Sequence, residues 1–249
     1  MPDRISYPAE GSALCQSVED SSFWFQHRND VIVELATSIS ATEKFYDVGG
    51  GNGCVSMALQ RAGVDVVLVE PNQEAVDRAS DCGVQRLIPS RLEETGLEDL
   101  KAVGLFDVIE HIEQDSEYLR MVHERLAPGG VLYLTVPAHQ WLWSADDVHA
   151  GHFRRYTARL LATKLRAVGY RLTYCGYLFS FLIAPIFVRR TIPSWLGLRK
   201  ISAKTIRRDH SVKRSVGLVR RLLRWALGRV RRRKRIPFGS TVIAVARKN

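Results

Sequence analysis

The chain has 249 residues, 46% of them hydrophobic, and a formal net charge of +10. That is apolar material for a full core in one domain, or one domain with a large insertion, and it excludes wholesale disorder and fibrous repeats. Its four cysteines, Cys15, Cys54, Cys82 and Cys175, lie far apart with no CxxC pair, which argues against a disulfide framework or a zinc ribbon and fits a reducing compartment.

At the amino end Asp3, Glu10, Glu19 and Asp20 stand among small polar residues, so no basic-then-apolar leader is read and the chain is expected to be cytoplasmic. Residues 17–40 read as a helix with a Phe23-Trp24-Phe25 cluster suited to core packing, and Arg28 follows one turn on. Residues 1–43 are thus expected to form an N-terminal helical cap. From Phe45 to Val136 apolar runs alternate with helical stretches of βα length. Strands are predicted near 44–48, 65–69, 84–88, 101–106 and 131–136. Helices are predicted over 53–62, 72–81 and 115–126, the last closed by Pro128-Gly129-Gly130. A further helix over 157–168 leads into a strand near 170–175, and Thr241 to Ala246 reads as a final edge strand within 240–249. The expectation is a single α/β domain with a doubly wound, mostly parallel seven-stranded sheet, its core spanning 44–175.

The stretch 176–239 is longer than a compact sheet needs. It opens with the apolar run Tyr177 to Val188, interrupted by Pro185 and stopped by Arg189-Arg190, shorter than the roughly 20 residues that cross a bilayer as a helix. Residues 199–235 then hold 16 Lys/Arg against one acid, Asp209, so the basic character belongs to this segment and the rest of the chain is net acidic. Over 212–230, Val212, Val216, Val219, Leu222, Leu223, Ala226, Leu227 and Val230 share one helical face, flanked by Lys213, Arg214, Arg220, Arg221 and Arg224. A basic amphipathic helix of this kind fits an anionic membrane interface. Nucleic acid would use only its charge, and a second protomer could bury the same stripe. The segment is expected to act as a basic insertion or lid.

The stretch richest in chemistry is Asp47-Val48-Gly49-Gly50-Gly51-Asn52-Gly53, placed between an apolar strand and a helix. Glycines there let the backbone turn sharply and approach a ligand, and the first amides of the helix can donate to an anionic group. A dinucleotide fingerprint needs G-x-G-x-x-G, but the sixth position counted from Gly49 is Cys54 and from Gly51 is Ser56, which argues against NAD or FAD. Glu70 ends the next apolar run, Val66-Val67-Leu68-Val69, where an acid accepts hydrogen bonds from ribose hydroxyls. Together the two motifs point to an adenosine-containing ligand without a pyrophosphate.

Over about Phe45 to Tyr174 the sequence resembles the class I S-adenosylmethionine-dependent methyltransferases, with a Rossmann-like fold. The glycine loop is similar to their motif I, and Leu126-Ala127-Pro128-Gly129-Gly130 to the turn before their fifth strand. Glu110-His111-Ile112 resembles the E-H-I/V of the type 11, ubiquinone-biosynthesis O-methyltransferase-like branch. The resemblance implies S-adenosylmethionine as cofactor. Asp47, Gly49, Gly51 and Gly53 would hold its methionine part, Glu70 its ribose, and Arg91 and Leu92 would lie beside adenine. The Phe-Asp that opens the family's fourth strand stands here as Leu100-Lys101. A Phe106-Asp107 follows six residues later, which brings Asp107 into the expected cofactor set.

After the fifth strand, the stretch from Val136 to Tyr156 is dense in His, Asp, Arg and Trp at the sheet edge where open α/β folds bind ligands. His139, Asp146, Asp147, His149, Arg155 and Tyr156 are the expected substrate-binding residues. Methyl transfer is an in-line displacement, and an oxygen or nitrogen acceptor must also lose a proton. His111 is the first candidate base and His152 the second, with Asp146 or Asp147 to orient it. His149 and His152 near those acids have metal-like spacing, but nothing repeats the pattern and methyl displacement needs no Lewis acid, so no metal is expected. The expected activity is methylation of an oxygen on a small, amphiphilic or lipid-linked acceptor near the inner membrane surface. The alternatives are an RNA methyltransferase using Arg229 to Arg235, or a non-catalytic membrane-bound scaffold.

Overall fold

A computed structural model describes residues 22–40, 42–199, 201 and 217–249. Helix α1 (Phe23–Ser40) precedes β1 (Phe45–Val48), α2 (Cys54–Arg61), β2 (Val66–Val69), α3 (Gln73–Asp81), β3 (Leu87–Ile88) and β4 (Leu100–Phe106). Then come α4 (Asp115–Arg125), β5 (Leu126–Pro137), α5 (Ala145–Ala150), α6 (Ala158–Val168) and β6 (Tyr170–Leu178). The chain closes with α7 (Ile183–Ile186), a π turn (Phe187–Thr191), α8 (Ile192–Trp195), α9 (Gly217–Arg231) and β7 (Thr241–Lys248).

The strands form one seven-stranded sheet in the order β3-β2-β1-β4-β5-β7-β6, with β7 antiparallel to both neighbours. Every residue of β2 is buried, as expected of a parallel strand covered on both faces. One face packs against α4 and α6 through Leu119, Val122, Leu161 and Leu165. The other packs against α1, α2 and α9 through Ile32, Leu35, Leu59 and Leu223. Strand order reverses direction between β1 and β4, so their carboxyl ends open a crevice.

The expected doubly wound sheet is present, and its strands fall near the predicted positions. The last strand is not at an edge. It pairs from Thr241 to Arg247 with β5 and from Thr241 to Lys248 with β6, because its run of buried residues, Thr241 to Ala246, suits an internal position. The third strand shrinks to two residues, and β6 extends to Leu178, taking the start of the expected insertion into the sheet.

The amphipathic stripe is also redirected. In α9, Leu223, Ala226 and Val230 are buried, and Leu223 and Val230, with Val219 and Leu227 packed beside them, belong to the same cluster as Phe23, Ile32 and Leu35 of α1. Arg231 pairs with Glu34 at 2.9 Å and Arg233 donates to Ser38 at 2.9 Å. This apolar face is therefore covered by the protein and not available to lipid, since a stripe of that period packs equally well on a neighbouring helix. Val212, Lys213, Arg214 and Val216, like residues 17–21, lie outside the described residues. Among the described residues no helix is long and apolar enough to cross a membrane.

Candidate active site

The crevice at the carboxyl ends of β1 and β4 is a cavity of about 750 Å³. The glycine loop forms its floor. Gly51 has φ +53°, and a Cβ placed there would meet nothing within 4 Å. At Gly50 a Cβ would lie 2.5 Å from Leu68 Cδ1 and 2.6 Å from Asp47 Oδ2, which only glycine avoids. Gly53 is absent from the lining. Its φ is +76°, and a Cβ there would press to 2.9 Å on Ala79 and Val84, so it serves helix packing and not the ligand.

Asp47 is fully buried, with Oδ2 accepting from Ser56 Oγ at 2.7 Å and Oδ1 left without a hydrogen-bond partner. Burial pushes its carboxyl up to about 6, against the pull of the Ser56 hydrogen bond and of Arg28. Glu70 accepts from Asn72 N at 2.9 Å and Gly51 N at 3.0 Å, one amide on each oxygen. It thereby ties the second strand to the glycine loop, and burial raises its carboxyl while these amides hold it back. Each carboxylate oxygen accepts more than one hydrogen bond, so both can still receive a hydroxyl. Arg91, Leu92 and Asp107 complete this half of the lining. Asp107 has a left-handed φ of 57° and forms an ion pair with the buried Arg28.

The lining also holds Glu110, His111, Asp146, Asp147, His149, His152 and Arg155. Asp147 carries the most contacts. It accepts from Arg155 Nε at 2.7 Å and Nη2 at 2.9 Å, meets His152 Nδ1 at 2.8 Å, and accepts from Ser144 N at 2.9 Å as part of the α5 capping box. Burial works against its charge, but His152 and Arg155 together hold the carboxyl at about 2. Asp147 is therefore an anchor for its neighbours and not a group open to substrate. Asp146 is paired with Arg199, whose Nη2 donates at 2.6 Å.

Two expected substrate residues lie outside the cavity lining. Tyr156 is 0% exposed and donates to Asp115 Oδ2 at 2.7 Å within the core. His139 stacks on Tyr177 at 5.1 Å and against Phe238 at 4.6 Å between ring centroids. His111 does lie in the site, but burial and then the neighbouring His152 push its imidazole down to about 3, which makes it a weak proton acceptor near neutral pH. Glu110 is wholly buried, and burial followed by the charge of Asp107 raises its carboxyl well above the ordinary value.

Sequence reasoning missed the part of the wall that comes from α1. Trp24 and Phe25, read as core packing, line the cavity with Arg28 stacked 5.1 and 5.2 Å from their rings. Leu182, Pro185, Ile186, Arg189 and Arg190, from the segment expected to act as a lid, also line the cavity. Only tertiary packing brings these segments over the sheet edge, so no local motif marks them.

A family model described as a methyltransferase domain matches residues 23–174, from α1 into β6. The chain belongs to this methyltransferase family. No curated protein matches it. Among solved structures, a chain of the Haloferax volcanii complex between the Trm112 methyltransferase activator and a methyltransferase shares 15% identity. It superposes with a TM-score of 0.61 over 97% of this chain and 99% of that one. The plantazolicin methyltransferase BpumL, solved in complex with SAH, gives 10% identity and a TM-score of 0.59 over 97% and 91%. A SAM-dependent methyltransferase from Thermotoga maritima gives 15% and 0.55 over 91% and 93%. These likenesses carry the fold. The cofactor of the methyltransferase is S-adenosylmethionine. The orphaned Asp47 Oδ1, the open space above Gly51 and the spare acceptor capacity of Glu70 fit a group with an ammonium and ribose hydroxyls.

Proposed function

We propose that this methyltransferase methylates an oxygen of an amphiphilic or lipid-linked acceptor at the inner, anionic surface of a membrane. The observation that carries the reading is the rim of the cavity. The wall formed by Leu182, Pro185 and Ile186 continues outward into a segment where Val188 is 60%, Trp195 62%, Leu196 65% and Leu198 71% exposed. Large apolar residues exposed together beside a ligand cavity mark a surface that meets lipid or an apolar partner. Arg189 and Arg190 in the same segment can meet anionic headgroups. The membrane contact is thus assigned to 188–198, where the sequence had pointed to α9. Glu110-His111-Ile112 supports placing the chain with the type 11, ubiquinone-biosynthesis O-methyltransferase-like branch.

When bound, S-adenosylmethionine supplies a sulfonium methyl for in-line displacement. Asp47 and the amides around Gly49 and Gly51 hold its methionine part on this reading, Glu70 its ribose, and Arg91 and Leu92 flank its adenine. Trp24, Phe25 and the 182–190 wall exclude water and orient an apolar acceptor. The acceptor hydroxyl meets Glu110, His111 and His152, the polar end of the cavity.

Flotation of the full chain with vesicles of neutral and of anionic lipid tests the surface, alongside binding to an unstructured RNA. Anionic vesicles should carry the protein, and Trp195→Ser with Leu198→Ser should release it. Methyl label from the donor should then enter the lipid extract of membranes. Label recovered in RNA instead, or flotation unchanged by the two substitutions, would count against the proposal.

A further inference from the structure

Glu110, His111 and His152 gather a carboxylate and two imidazoles on one cavity wall, each offering an atom within 4.8 Å of the others. Two loops make this meeting. Glu110 and His111 occupy the turn that leaves β4, and His152 follows α5. Phe153 N donates to Glu110 O at 2.8 Å and Arg154 Nη1 to Ile112 O at 3.1 Å, so the backbones are stapled together. Glu110 is 0% exposed, and neither of its carboxylate oxygens has a hydrogen-bond partner. A buried carboxylate without hydrogen bonds is costly, and it is relieved either by holding its proton or by a positive charge placed against it.

His152 shows the complementary preparation. Its Nδ1 lies 2.8 Å from Asp147 Oδ1, and Asp147 is itself fixed by Arg155 and by the backbone of Ser144. With Nδ1 engaged by a carboxylate, Nε2 is the nitrogen available to a ligand. Histidines that bind metal ions are oriented in this way, by a carboxylate on the other ring nitrogen.

We propose that Glu110, His111 and His152 bind one divalent first-row transition-metal ion, with Asp147 orienting His152. Two nitrogens and one carboxylate suit Zn²⁺, Fe²⁺ or Co²⁺, whereas Mg²⁺ and Ca²⁺ take oxygen ligands. Metal–nitrogen bonds of about 2.1 Å place neighbouring ligand atoms about 3 to 3.5 Å apart, so the group closes by about an ångström of side-chain movement. Three protein ligands leave coordination positions open toward the cavity, where an acceptor oxygen can bind and become more acidic. The assignment departs from the expectation of no metal. That expectation paired His152 with the exposed His149, whereas the fold pairs it with Glu110 and His111, some forty residues away in the chain. It rests on this cavity being the site of methyl transfer, and not on the membrane reading.

The test is a Co²⁺ titration of untagged, chelator-stripped full-length protein, followed by visible absorption, with Zn²⁺ as competitor. Each protein is also titrated with S-adenosylhomocysteine as an independent check of fold and donor site. Wild type should take up one equivalent of Co²⁺ with visible bands that Zn²⁺ abolishes. Glu110→Gln and His152→Gln should lose the bands while still binding the adenosyl ligand. Asp147→Asn should weaken Co²⁺ binding by about 10- to 100-fold. Should Glu110→Gln not fold, His152→Gln decides, since its side chain is 16% exposed whereas Glu110 is wholly buried. Wild type that binds S-adenosylhomocysteine but no Co²⁺, or Co²⁺ binding unchanged in His152→Gln, overturns the metal site and leaves the donor reading standing. Stoichiometric Co²⁺ binding without adenosyl binding would uphold the metal site and overturn the donor reading.

Discussion

Asp47 faces the cavity with one oxygen satisfied and one bare, and its carboxyl titrates at about 6. Its pKa lies above the ordinary 3.8 because the fold favours the neutral form. In the protein without donor, the contribution of Asp47 to stability is therefore greatest below about 4 and is lost as pH rises through about 6. Donor binding has the opposite sign, because an ammonium needs the ionised carboxylate. Affinity for S-adenosylmethionine should fall about tenfold from pH 7 to pH 5, and calorimetric titration across that range checks it. Asp47→Asn should flatten the profile and bind weakly throughout. Affinity in wild type that does not change with pH would remove Asp47 from the donor site.

Among the elements, α9 shows how a sequence pattern can be right in form and wrong in destination. Its stripe has the period of a buried helical face, and Leu223, only 3% exposed, is where that face enters the core. Leu223→Ala should cost about 3 kcal/mol in urea denaturation. Trp225→Ala, at a residue 51% exposed, should cost less than about 1 kcal/mol. Equal effects would mean that α9 is not packed as described. The strands and the D-x-G-x-G-x-G loop were legible because their signals are local: alternation of apolar runs, and glycines where the backbone must turn. Glu70 was legible for the same reason, as the acid at the end of the next strand. The burial of Tyr156 and the stacking of His139 were not, since both depend on partners far along the chain, Asp115, Tyr177 and Phe238. The cavity wall built from α1 was hidden for that reason too, whereas the wall from 182–190 falls within the segment expected to act as a lid.

At the scale of the whole molecule, most of the basic charge lies apart from the exposed apolar rim, which carries only Arg189 and Arg190 of its own beside Val188, Trp195, Leu196 and Leu198. The described basic residues Arg220, Arg221, Arg224 and Arg231 to Arg235 are exposed, and the large exposed apolar residues cluster instead at 188–198. Each basic side chain near an anionic bilayer contributes about 1 kcal/mol, and salt screens it. Raising ionic strength from about 0.1 to 0.5 M should lower binding to anionic vesicles without abolishing it, because the apolar rim does not respond to screening. Co-sedimentation across that range tests the division, and binding indifferent to salt would assign the whole effect to the rim. The sheet order has its own bearing on biogenesis. β6 leaves the ribosome well before β7, yet among the described residues β7 is its sole strand partner and also the bridge to β5. Tyr170 to Leu178 must therefore wait, unpaired, until β7 has been synthesised and threaded between the two, so the nascent chain carries an open edge, with its hazard of mispairing, over the stretch from Leu178 to Thr241.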